Sequence, residues 1–75
     1  MTLNQLKYYV EIVRESSFTK AAEKLFVSQS TLSKSIRTLE EEFQIKLINR
    51  AAKEFTLTQE GHVFLEYAER ILNYY

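Results

Sequence analysis

The stretch from Ser16 to Leu39, SSFTKAAEKLFVSQSTLSKSIRTL, constrains the fold more than any other part of the chain. It holds a short alanine-rich helical pattern from about Thr19 to Leu25, a very short break, and a longer pattern that begins at Ser28 and continues past Leu39. A short helix, a tight turn and a longer helix with a polar outer face make the outline of a helix-turn-helix. Ala21 and Ala22 let the two helices approach closely near the turn, where a bulky residue would cost about 1–3 kcal/mol in overpacking. With no proline and one glycine in 75 residues, few breakers interrupt such patterns elsewhere, so the chain is expected to be mainly helical.

Helical signals flank this segment. Thr2 and Gln5 form a capping-box pair ahead of an apolar stripe of Leu3, Leu6, Tyr9, Val10 and Val13. Ser16-Ser17 breaks that helix, and Thr19 is the expected N-cap of the next, with Phe18 before it as an apolar anchor. Val27 is expected to be buried under the turn. Ser28 is the strongest cap signal, worth about 1 kcal/mol through the backbone N–H of Ser30 or Thr31. Beyond it, Leu32, Ile36, Leu39 and Phe43 share one face, and Ser30, Lys34, Arg37 and Glu41 lie opposite with Ser33 beside them. Gln29 projects nearer the seam, in the first turn. The acidic run Glu40-Glu41-Glu42 is expected to close the outer face to phosphate. The contact surface then falls in the N-terminal half of the helix, where the dipole also favours an anion.

After Phe43 the period changes. Ile45 to Asn49 and Phe55 to Leu57 read as two short strands around the basic loop Arg50-Ala51-Ala52-Lys53-Glu54. Beside a helix-turn-helix such a hairpin is a wing, and Arg50 and Lys53 would approach phosphates or the minor groove. Thr58 caps a last helix with Glu60 in its first turn. Along that helix Phe64, Leu65, Ala68, Ile71, Leu72 and Tyr75 repeat almost as a heptad seam. The turns around Ile71 and Leu72 have no evident partner within the chain, so a helix from a second copy is expected there. The pattern still runs at Tyr74-Tyr75, as expected of a piece of a longer protein.

The net charge of zero hides an uneven distribution. Residues 16–39 carry Lys20, Lys24, Lys34 and Arg37 against Glu23 alone, while the seven glutamates from Glu40 onward outnumber their basic neighbours. A basic segment of this kind is the electrostatic footprint of a nucleic-acid contact. Enzymatic chemistry is not expected: there is no cysteine or aspartate, and His62 is the single histidine. No glycine-rich phosphate loop or metal-ligand spacing is present, so no cofactor is expected. No apolar run reaches the roughly 20 residues of a membrane span, and no signal peptide is seen, consistent with a cytoplasmic protein. Two functions remain, double-stranded DNA binding or a winged-helix protein-interaction module without it.

The chain resembles the N-terminal DNA-binding domain of the LysR-type bacterial transcriptional regulators over essentially its whole length. The resemblance rests on Leu3-x-x-Leu6 with Tyr9, on Ser17-Phe18-Thr19-x-Ala21-Ala22-x-x-Leu25, and on Val27-Ser28-Gln29-Ser30-x-Leu32-Ser33-x-x-Ile36-x-x-Leu39-Glu40. It continues through Leu47-x-x-Arg50 and Leu57-Thr58-x-x-Gly61. It implies a winged helix-turn-helix domain over 1–58, with the helix-turn-helix at about 18–37 and the wing at about 45–57. A linker helix over 59–75 would make an antiparallel homodimer contact. An effector-binding domain, absent from this chain, would follow and complete a tetramer. Gln29, Ser30, Ser33 and Lys34 match groove-facing positions, Thr19, Thr31 and Arg37 match phosphate or edge contacts, and Arg50 and Lys53 match the wing. Ser30 stands where the family usually has proline, Gln44 where glycine is common, and Lys34 where arginine is frequent. Lysine lacks the bidentate fork of arginine toward guanine, so the operator should differ.

Overall fold

A computed structural model describes residues 1–73, and they form four helices. These are α1 (Leu3–Glu15), α2 (Phe18–Leu25), α3 (Gln29–Phe43) and α4 (Gln59–Leu72). Local chemistry sets the starts. Thr2 and Gln5 close the expected capping box on α1. Ser28 accepts from the backbone N–H of Thr31 at 3.1 Å, and Thr58 from that of Gly61 at 2.9 Å.

At α2 the expectation fails by two residues. Ser17 is the cap, accepting from the N–H of Lys20 at 3.1 Å, so Thr19 lies inside the helix. Phe18 is the first helical residue, and its ring meets Phe55 edge to face at 6.4 Å. Capping from Ser17 leaves that ring free to pack under the wing, and tertiary packing decides between two adequate hydroxyls.

α1 is the central element. Its Tyr9 and Ile12 pack with Ala21, Ala22, Leu32, Ile36, Leu39, Leu47 and Ile48 as the main core. Its Leu6 and Val10 bury Ala68 of α4 in a second cluster. The alanines are buried where α2 must come close, as their size requires. Val27 is half-buried against the core, whereas Phe26 in the turn is 93% exposed.

The expected two-stranded wing is reduced to one antiparallel bridge, Ile48 to Leu57, with the N–H of Asn49 donating to the carbonyl of Thr56 at 3.0 Å. The backbone groups of the incoming strand are committed elsewhere. The N–H of Ile45 donates to the carbonyl of Glu40, the N–H of Leu47 to the Glu40 side chain, and the carbonyl of Leu47 accepts from the N–H of Thr58. Helix ends, rather than a partner strand, satisfy this segment.

α4 ends at Leu72, where Asn73 turns left-handed, short of the helix to residue 75 that the sequence pattern predicts. Tyr74 and Tyr75 lie outside the described residues, and with them the place of Tyr75 in the expected seam.

Each helix ends on a left-handed residue, and none of these is glycine: Ser16, Phe26, Gln44 and Asn73. At Gln44, with φ of 54°, the side chain carries a steric cost that glycine avoids. Gln44→Gly should therefore stabilise the domain by about 0.5–1 kcal/mol, the relief of strain being partly offset by a freer unfolded chain. A rise of a few degrees in Tm is the expected reading. An unchanged or lower Tm would show that this conformation carries no net strain.

Candidate nucleic-acid interface

The N-terminal half of α3 presents an exposed polar face. Gln29, Ser30, Thr31, Lys34 and Arg37 are exposed, and Ser33 is half-buried beside them. Leu32, Ile36 and Leu39 anchor the opposite face in the core, which holds the polar face outward. Ser28 organises the helix start: besides capping, its hydroxyl donates to Oγ1 of Thr31 at 2.8 Å and lies 3.2 Å from Oγ of Ser30. The Ser30 hydroxyl thus stands at the first turn, beside backbone N–H groups that a helix leaves unpaired.

α2 contributes Thr19, whose hydroxyl donates to Oε1 of Gln29 at 3.4 Å. That contact uses the Gln29 carbonyl oxygen and not its amide N–H groups. Gln29, Ser33 and Arg37 line one wall of a cleft of about 480 Å³ whose opposite wall is the 49–55 loop, including Arg50 and Lys53. Most of the expected contact residues therefore converge on one side of the domain.

The cations divide into two groups. Lys24 is turned toward α1, 3.1 Å from Glu11 and 3.3 Å from Glu15, so it leaves the basic face on which the sequence pattern places it. Arg70 pairs with Glu66 one turn back on α4. Among the described residues, Lys20, Lys34, Arg37 and Lys53 have no carboxylate within ion-pair distance. Exposed Lys7 of α1 and Lys46 are likewise unpaired, so the uncompensated charge is not confined to one face, but Lys34, Arg37 and Lys53 gather on α3 and the loop beside it.

Arg50 and Glu40 depart most from expectation. Glu40 does not belong to the outer acidic face, being 3% exposed. One carboxylate oxygen accepts from the N–H of Leu47 at 2.7 Å and, more weakly, from that of Ile48 at 3.4 Å. The other accepts from Nη1 of Arg50 at 2.8 Å. Burial pushes the Glu40 carboxyl up, but the Leu47 N–H and the Arg50 guanidinium outweigh it and hold the group below its ordinary range. The Arg50 guanidinium also lies over the Phe18 ring, 5.7 Å from its centroid. Helical periodicity holds the missed signal: Glu40 follows Ile36 by one turn, about 40° away on the wheel, nearer than Leu39.

The α4 residues also sort differently. Phe64, Leu65 and Ala68 pack on α1 of their own chain, Phe64 meeting Tyr9 edge to face at 5.6 Å and Phe43 at 5.7 Å. Leu72 joins the same cluster, while Ile71 is exposed. The exposed apolar stripe is Val63, Tyr67 and Ile71, one turn apart, with Tyr67 58% exposed. Sequence reasoning missed Val63 and Tyr67 because the spacing of an apolar stripe does not say which helix it meets.

A short helix capped against a longer one, with a polar cationic outer face and a loop of wing topology beside it, defines a winged helix-turn-helix. The chain belongs to the family described as bacterial regulatory helix-turn-helix protein, lysR family, whose sequence model matches residues 3–62. A probable RuBisCO transcriptional regulator of Trieres chinensis is 56% identical over 71 residues, covering 95% of this chain and 23% of that protein. The HTH-type transcriptional regulator BenM of Acinetobacter baylyi is 47% identical over 73 residues, 97% of this chain and 24% of its own length. The chain thus spans about a quarter of the curated relatives it matches. The crystal structure of the BenM DBD with catB site 1 DNA superposes with a TM-score of 0.94 at 46% identity, over 97% of this chain and 78% of that one.

Proposed function

We propose that this domain reads double-stranded DNA within a dimeric transcriptional regulator of the cytoplasm, placing the N-terminal half of α3 in the major groove. The observation that carries the reading is the exposed α3 face with its uncompensated Lys34 and Arg37, flanked by Lys20 and Lys53. Gln29, Ser30, Ser33 and Lys34 face base edges, Gln29 being suited to a bidentate contact with adenine. Thr19, Thr31 and Arg37 face phosphates, and the loop carrying Arg50 and Lys53 approaches the backbone or minor groove. The BenM domain solved with catB site DNA, which shares this fold, supports the assignment. No catalytic role is proposed.

Fluorescence anisotropy with a random duplex from 50 to 200 mM salt tests the reading. Binding should fall steeply with salt, by roughly one unit of log–log slope per phosphate contact. A protein that binds no duplex at 50 mM salt would favour the interaction-module alternative. Gln29→Ala should redistribute preference among duplexes selected from a random pool while leaving the salt slope unchanged.

Dimerisation through α4 is the second part of the proposal, with a tetramer expected of a full-length protein. It is supported by the Val63, Tyr67 and Ile71 stripe, which no other part of the described chain covers. Sedimentation at micromolar concentration should show a dimer, and Ile71→Asp should convert it to a monomer. A wild-type monomer would refute the contact.

A further inference from the structure

We infer that Arg50 is a positioning residue, which fixes the wing loop relative to α3 so that Lys53 can meet a phosphate. The inference rests on the DNA-binding reading and revises the role that the sequence pattern suggests for Arg50. Its guanidinium is held on two sides, by Glu40 of α3 at 2.8 Å and by the Phe18 ring of α2. The Phe18 ring in turn meets Phe55 at the far end of the same loop. The other Glu40 oxygen holds the N–H of Leu47 at the near end. One buried carboxylate and one ring therefore tie both ends of the loop to the helix-turn-helix.

Such a strut is needed here because the ladder is only one bridge, too short to set the attitude of a loop. A direct phosphate role fits the geometry poorly. The Arg50 charge is already matched by Glu40, and an incoming phosphate would share the guanidinium with a carboxylate that repels it. Lys53 has no such partner among the described residues. It is exposed on the wall of the cleft that faces Arg37.

The test is the salt dependence of binding to a random 30-base-pair duplex, taken below the melting midpoint of every variant. Lys53→Gln should lower the slope by about one unit. Arg50→Gln should lower it by a similar amount, because Lys53 loses its place, and the double variant should lose about one unit rather than two. Arg50→Lys keeps the charge but cannot stack on Phe18 while pairing with Glu40, so affinity should still fall severalfold. Glu40→Gln gives the opposite sign for the two roles: freeing a phosphate ligand would strengthen binding, whereas loosening a strut weakens it.

A double variant that loses two units, an Arg50→Lys protein with full affinity, or a Glu40→Gln protein that binds more tightly would each overturn the inference and leave the DNA-binding reading intact. An Arg50→Gln protein with unchanged slope and affinity would overturn it too. A wild-type protein that binds no duplex would overturn both. Should Arg50→Gln fail to fold, Arg50→Lys and Glu40→Gln still decide the sign.

Discussion

Replacing Gly61 with alanine is expected to destabilise the domain by about 3 kcal/mol or more, a large share of what a chain of this size has. The opposite would follow from helix propensity alone, since alanine is favoured over glycine inside a helix by about 1 kcal/mol. Gly61 lies in the first turn of α4, buried against the wing. A Cβ there would come within 2.1 Å of the Leu47 carbonyl oxygen and 3.0 Å of the Tyr9 hydroxyl. The first contact is with backbone, which cannot rotate aside. α4 would have to lift off the wing, losing the bond from the Thr58 N–H to the Leu47 carbonyl and the one from the Tyr9 hydroxyl to the Gly61 carbonyl. Overpacking alone costs about 1–3 kcal/mol, and the lost bonds add to it. Tyr9→Phe separates the terms, for it removes only the hydroxyl and should cost about 1 kcal/mol. Urea melts at 25 °C of both variants check this. An alanine variant as stable as wild type would mean that the close approach is not a constraint.

The single glycine of the chain is thus used for proximity, and the four left-handed helix ends are made from other residues. That division explains what could be read from the sequence. Thr2, Ser28 and Thr58 were legible as caps because a cap is decided within three residues of chain. The buried faces of α1 and α3 were legible in part: Leu6, Tyr9, Val10, Leu32, Ile36 and Leu39 are buried as their spacing requires, whereas Leu3 and Phe43 at the ends of the two stripes are exposed and the buried Ile12 lies outside the expected stripe. What covers a stripe is a non-local matter. The α4 seam at Phe64, Leu65 and Ala68 meets Leu6 and Val10 of α1, and no spacing rule distinguishes that partner from a second copy. The wing was legible as a loop between two apolar runs, but its ladder was not, because the backbone donors of the first run are taken by Glu40. The role of Glu40 was hidden in turn by two glutamates that follow it. The exposed face of α3 was the most legible part of the candidate site, and the division of labour between Arg50 and Lys53 the least.

Glu40 yields the other large effect, together with a pH dependence whose sign is set by the geometry. Glu40→Ala would leave the N–H groups of Leu47 and Ile48 without their acceptor and Arg50 without its counter-charge. Removing one partner of a buried pair costs about 3–5 kcal/mol. The Arg50 side chain is 31% exposed and can regain some hydration, so about 3 kcal/mol is expected. Glu40→Gln should cost less, because an amide oxygen can still accept from Leu47. The folded state holds this carboxyl below its ordinary range, so its contribution is complete above the unfolded carboxylate pKa of about 4.3. It is lost as pH falls through the lower folded value. The stability of wild type minus that of Glu40→Gln should therefore be constant from pH 7 to about 5 and shrink below that. The remaining carboxylates titrate in both proteins and cancel in the difference. Urea midpoints at a series of pH values from 7 to 3 read this directly. A difference that stays the same down to pH 3 would show that ionisation of this carboxyl adds nothing to what its protonated form supplies.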